Sequence, residues 1–193
     1  SNGTDQMSGL NDEAVTLTDS TVAASDVNAV DGFTSGLIDA STVTTVTGLA
    51  ATINTAFAAN NSTAVSNLGD SEAVTLTDTS VAVAALNTLN DTTTGVINAT
   101  TVNTITGSAS ETNTAYAAGV AGEITNLGNE AVTLDDTTLA VATLNTLDGN
   151  TSGGINAATI NTLTGAAAAL NTAYTSNGTD QMSGLNDEAV TLD

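Results

Sequence analysis

The pentad Glu-Ala-Val-Thr-Leu begins at Glu13, Glu72, Glu130 and Glu188, at spacings of 59, 58 and 58 residues. A chain that repeats at a fixed period of this length folds as an array, because one copy cannot bury its apolar face without a neighbour stacked on it. Other positions keep the same beat: Gly36, Gly95 and Gly153; Ile38, Ile97 and Ile155; Asn54, Asn113 and Asn171; Phe57, Tyr116 and Tyr174. The one extra residue lies between Phe57 and Glu72. Insertions in repeat proteins map to loops, so that segment is expected to be a surface turn. The period divides the chain into the tail of a preceding repeat (1–12), three repeats (13–71, 72–129 and 130–187) and the start of another (188–193). Ser1–Leu17 is identical to Ser176–Leu192, and we expect the chain to be a stretch of a longer array.

Charge narrows what such an array can do. There is no Lys, Arg or His against 21 acidic residues, a formal charge of −21. Internal ion pairs between side chains are therefore excluded. Nucleic acid and anionic membrane surfaces are disfavoured as partners, since both are held by basic side chains. Divalent cations or basic proteins are the natural counter-charges, and an ionic medium would screen the self-repulsion. Order is still expected, because 40% of the residues are hydrophobic and the apolar positions recur in register. Aromatics are only 2%, so the core must be built from Ala, Val, Leu and Ile in thin layers, as in a one-dimensional stack. Without Cys there are no disulfides or thiolate ligands. No apolar run is long enough to span a bilayer, and no membrane insertion is expected of this segment.

Within the middle copy, Ala73-Val74-Thr75-Leu76 is β-prone, and Asp78 follows as a candidate helix N-cap. Thr79–Leu89 places Ala82, Ala85, Leu86 and Leu89 on one helical face. The equivalent stretch of the third copy, Asp136–Leu147, ends at Gly149, a C-terminal stop. Gly95-Val96-Ile97-Asn98 reads as a second strand, with Asn98 as N-cap of a helical stretch Thr101–Ile105 that breaks at Gly107. Ser108-Ala109-Ser110-Glu111 has the spacing of a capping box and opens an Ala-rich helix through Tyr116. The fold class is thus an α/β repeat solenoid of short strands and short helices, with two unequal strand-helix coils per repeat of 58–59 residues. An all-β solenoid of Thr-rich rungs is the alternative, since Val81 and Val83 alternate, as do Thr100 and Val102.

The inventory of reactive side chains argues against an enzyme. Without His, Cys, Lys or Arg, most general bases, nucleophiles and oxyanion-stabilising cations are gone. The carboxylate pair Asp135 and Asp136 aligns with Thr18 and Asp19 and with Thr77 and Asp78, the recurrence of a cap rather than of a catalytic pair. Calcium is the strongest chemical expectation, because a hard cation takes oxygen ligands and this chain carries uncompensated carboxylates. Glu13, Glu72 and Glu130, with Glu188, and Asp19, Asp78 and Asp136 recur on the beat and would stack as ladders if the coils are in register. The competing reading is a solvated Glu and a helix-capping Asp. Neither an EF-hand loop nor a glycine-rich nonapeptide repeat is present. Glycosylation sequons are frequent, including those at Asn2, Asn61, Asn90, Asn98, Asn150 and Asn177, as an Asn- and Thr-rich chain produces by chance. Thr-x-Thr pairs at Thr16 and Thr18 and at Thr75 and Thr77 would suit a face for ice or glycan, or simply exposed strand positions. Phe57, Tyr116 and Tyr174 are read as packing anchors ahead of sugar-stacking platforms.

Runs such as Val-Thr-Leu-Thr-Asp, Leu-Asn-Thr-Leu-Asp-Gly and Ile-Asn-Ala-Thr-Thr-Val-Asn-Thr-Ile-Thr-Gly resemble the tandem arrays of giant surface proteins in marine bacteria, notably cyanobacteria. The resemblance covers the whole chain and rests on repeat flavour, without site residues to carry over. It implies secretion, an extracellular or cell-surface location, a role in fibres, surface layers or adhesin stalks, and frequent use of calcium. The implied partners are neighbouring repeats or further copies of the same chain.

Overall fold

The computed structural model describes residues 11–61, 64–179 and 181–193. The sequons at Asn2 and Asn61 lie outside those residues or extend beyond them. Repeat 1 runs β1 (Val15–Thr16), β2 (Thr21–Ala23), α1 (Ala24–Asp31), β3 (Ile38–Asp39), β4 (Thr45–Gly48), α2 (Ala50–Asn61) and β5 (Val65–Ser66). Repeat 2 runs β6 (Ala73–Leu76), β7 (Ser80–Ala82), α3 (Val83–Thr92), β8 (Ile97–Asn98), β9 (Thr104–Gly107), α4 (Ala109–Ala121) and β10 (Ile124–Thr125). Repeat 3 follows with β11 (Ala131–Leu134), β12 (Thr138–Ala140), α5 (Val141–Asn150), β13 (Ile155–Asn156), β14 (Thr162–Gly165), α6 (Ala167–Asn177) and β15 (Met182–Ser183), and β16 (Ala189–Leu192) opens the next copy. The fold is an α/β repeat of solenoid type, with short parallel strands alternating with short helices.

The chain divides into two compact units, 1–77 with 88–98, and 78–87 with 99–193. In the first, β1, β3 and β5 form one parallel ladder and β2, β4, β6 and β8 another. In the second, β7, β9, β11, β13 and β15 form one ladder and β12, β14 and β16 another. Strand partners come from successive coils. Val46 sits beside Val74 and Val74 beside Ile97 in the first unit; Ile105 beside Val132, Ile155 and then Met182 continue the same pattern in the second. All seven side chains are almost fully buried. Each contributes about 1.5–3 kcal/mol of burial free energy, so identical apolar positions stacked in register suffice as a core without large aromatic layers.

The helices close the other side of each coil and are tied to one another by asparagine. Nδ2 of Asn28 donates to Thr52 O at 3.0 Å, Asn87 to Glu111 O at 3.0 Å, and Asn145 to Ala169 O at 2.9 Å, each reaching the first turn of the next helix. Asn113 reaches Thr143 O at 3.1 Å. Ser108 is the N-cap that the spacing requires: its Oγ accepts from Glu111 N–H at 3.3 Å, and the Glu111 side chain returns to it by accepting from the same hydroxyl at Oε2, 2.9 Å away. The helix it opens runs past Tyr116 to Ala121, where Gly122 stops it in the left-handed conformation (φ 83°).

Several local expectations are overturned by strand pairing. Each repeat carries five short strands to its two helices, so its coils hold two or three strands, not one. Ser80–Ala82, expected to be helical, is a strand because it finds Thr104–Thr106 in parallel register, and α3 starts only at Val83. Its buried face is therefore Val83, Leu86 and Leu89, while Ala82 is exposed. Thr101–Ile105 is not a helix; Thr104–Gly107 is β9, and Asn98 lies in β8 and caps nothing helical after it. Gly149 falls within the last turn of α5 instead of stopping it.

Candidate functional site

The position that recurs with the most structure around it is the turn leading into each pentad strand. In repeat 3, Glu130 folds its side chain back so that Oε2 accepts from the N–H of Gly128 (2.8 Å) and of Asn129 (3.2 Å) and from the Tyr116 hydroxyl (3.3 Å). In repeat 2, Glu72 Oε2 accepts from Gly69 N–H (2.8 Å) and Ser71 N–H (3.3 Å). Glu13 Oε2 takes the N–H of Asp12 at 3.3 Å, and Glu188 Oε2 the hydroxyl of Tyr174 at 3.4 Å. The turn before Glu72 is one residue longer than that before Glu130, yet the same glycine N–H is captured. The extra residue therefore sits in the exposed Asp70-Ser71 part of the turn. Glu130 is 1% exposed and Glu72 8%, and these amide donors are what make a buried carboxylate tolerable in a chain with no basic group. Glu130 Oε1 is buried without a hydrogen bond.

The pentad's backbone is held from the opposite side by a Thr-x-Gly step one coil later. Thr34, Thr93 and Thr151 donate their hydroxyls to the carbonyls of Glu13 (2.7 Å), Glu72 (3.5 Å) and Glu130 (3.2 Å). Each hydroxyl also accepts the N–H of the glycine two residues on, at 2.9, 3.0 and 2.9 Å. Those glycines lie flat on the same carbonyls: a Cβ at Gly36, Gly95 or Gly153 would stand 2.2, 2.0 or 2.1 Å from the Glu13, Glu72 or Glu130 oxygen. The glycine beat in the sequence is thus a demand for close approach of two backbones. The threonines were legible as well, each standing two residues before an on-beat glycine, a short hydroxyl-to-backbone turn signature.

The tyrosine beside this turn is the group whose titration the site alters most. Burial, together with the nearby negative charge of Glu130, pushes the Tyr116 phenol up to about 12, against the neighbouring Thr151 hydroxyl, which lowers it. Tyr174 is raised in the same sense, by burial first and by Glu188 second. A raised phenol contributes stability that is whole below its ordinary value of 10 and is lost as pH rises toward about 12, because the unfolded chain gives up that proton first. Urea midpoints at about pH 9 and about pH 11 should therefore fall with pH in the native chain. In Tyr116→Phe, which installs the residue that repeat 1 already has as Phe57, the fall should be smaller; an unchanged slope would show that Tyr116 is not the group responsible.

Of the six carboxylates singled out as calcium ligands, Glu13 and Glu72 precede strands of different sheets in the first unit, β1 and β6, and form no ladder there; in the second unit Glu130 precedes β11 and Glu188 precedes β16, again in different sheets. Asp136 Oδ2 accepts the N–H of Ala109 at 2.7 Å, at the N-terminus of α4 in the preceding coil. It caps a helix, though not the one that follows it in sequence. Asp19 is exposed and Asp78 half-buried. Among the described residues no three acidic side chains converge.

The expected Thr-x-Thr pairs are split, with Thr75 on β6 and Thr77 beyond its end. Thr45 and Thr47, Thr104 and Thr106, and Thr162 and Thr164 instead share strand faces on β4, β9 and β14. Phe57 and Tyr116 are buried at 1% and 4% exposure, as packing anchors are; Tyr174 is 37% exposed. Comparison with known proteins returns no matching family model, no matching curated protein and no matching solved structure.

Proposed function

We propose that this chain is a segment of an extracellular structural array, a stalk or fibre whose length is set by repeat number. The observation that supports it is the use of the pentad strand on both its edges. β6 pairs along its whole length with β4 of the repeat before, Thr45 to Ala73 through Gly48 to Leu76, and through Val74 and Thr75 with β8 of its own repeat. β11 does the same between β9 and β13. One short strand thereby splices each repeat onto the next, and the joint can be copied without limit. A charge of −21 with no basic residue favours solubility and keeps neighbouring arrays apart in low salt. Among the described residues no helix is long and apolar enough to cross a membrane.

Electron micrographs of chains of three, six and nine repeats should show length rising linearly with repeat number, and antibody against the repeat should label intact cells of the source. Compact particles, or label only after cell lysis, would sink the proposal. The alternative, a calcium-stiffened adhesin segment, is separated by far-UV circular dichroism in millimolar calcium and in excess chelator. The turn-capping geometry of Glu72 and Glu130 leads us to expect identical spectra; order that appears only with calcium would favour the alternative.

A further inference from the structure

We infer that the array is an extensible tether, yielding under tension by a coil or a repeat at a time and reforming when tension falls. This rests on the proposed stalk or fibre function for its biological sense, but its mechanics follow from the pattern of bonds alone. Within each unit every strand ladder joins residues of adjacent coils only, as Val22 with Val46 and Val46 with Val74, or Ile105 with Val132 and Val132 with Ile155. The asparagine bridges between helices obey the same rule, from Asn28 to Thr52 and from Asn145 to Ala169. Even the bond from Asn150 to Asn113, 37 residues apart, joins consecutive helices. Detaching one coil therefore leaves the bonds of the remaining stack intact, the condition for stepwise and not all-or-none failure.

Further features point the same way. The strands are two to four residues long, so each rung holds few hydrogen bonds to share a load. Within each unit the inter-strand bonds run from coil to coil, so tension along a ladder loads these rungs in series. The chain has no Cys and no Lys, so no disulfide and no lysine-derived crosslink can staple distant coils. It also has no Pro, so refolding has no slow prolyl isomerisation to wait for, and unpaired negative charge favours the extended form while it is stretched.

The test is optical-trap stretching of the 193-residue chain held by its two ends. We expect three or more extension steps, none releasing more than the roughly 20 nm of one fully extended repeat, with the steps recovered on relaxation within the same cycle. A single step releasing the length of the whole chain would overturn the inference. A second arm uses Ile105→Ala in β9, which should lower the force of one step and leave the others where they were; a shift of all steps together would mean one cooperative unit and would also overturn it. Failure of cell-surface labelling with stepwise extension intact would remove the proposed location and leave the mechanics standing. Surface labelling with one all-or-none rip would do the reverse.

Discussion

Gly153→Ala should cost upwards of about 4 kcal/mol and abolish folding of the third repeat at ordinary temperature, the size expected when a close backbone contact cannot be kept. The added Cβ would stand 2.1 Å from the Glu130 carbonyl oxygen and 2.7 Å from that of Asn129, and both are backbone atoms with no rotamer to move. Relief requires β13 to withdraw from β11, which breaks the pairing of Val132 with Ile155 and the Thr151 hydroxyl bond to Glu130. The adjacent residue supplies the control. A Cβ at Gly154 meets nothing within 4 Å, and the equivalent positions already hold Leu37 and Val96. Gly154→Ala is therefore expected within about 0.5 kcal/mol of the native chain. Thermal or urea unfolding of the two variants side by side decides the matter; similar stabilities would mean that the glycine beat records something other than close approach.

Glu130→Ala is the second large effect, at about 3 kcal/mol, because it leaves the part-buried N–H groups of Gly128 and Asn129 and the buried Tyr116 hydroxyl without their acceptor. Glu130→Gln should fall between native and alanine. Its amide oxygen can take the place of Oε2, but as a neutral acceptor it bonds the same donors more weakly than a carboxylate does. The same pair of substitutions separates turn capping from metal binding. If Glu130 is a cap, both variants lose stability equally in calcium and in chelator. Should the loss appear in calcium alone, with native and variant chains alike in chelator, the carboxylate would be acting on a cation and the capping account would fail.

Both results bear on the array as a whole, because each pentad is a joint between repeats. Val74 and Val132 are held on one edge by a four-residue pairing and on the other by two residues. The glutamate turn and the Thr-x-Gly step brace the same backbone from its two sides. A substitution there weakens a joint and not merely one turn, which is why its effect should exceed that of an equal change on a helix surface such as Ala84 or Thr88.

The division between what was readable in advance and what was not follows the range of the interaction responsible. The period, the strand at Ala73–Leu76, the capping box at Ser108 and the exclusion of ion pairs are local or compositional, so the sequence by itself determined them. The expectation of a helix at Thr101–Ile105 and of an N-cap at Asp78 for the segment after it failed to anticipate partners 23 to 28 residues away. Ser80–Ala82 alternates as well as it spirals, and only Thr104–Thr106 lying alongside makes it a strand. Asp136 has a cap's chemistry in either reading, but only the stacking of coils places the N-terminus of α4 beside it. Glu130 is a hydrophilic residue in any local window and becomes a buried turn cap once Gly128, Asn129 and Tyr116 surround it. Parallel strands have no hairpin to announce their register, so the sheet to which each pentad belongs was left for the tertiary structure to decide.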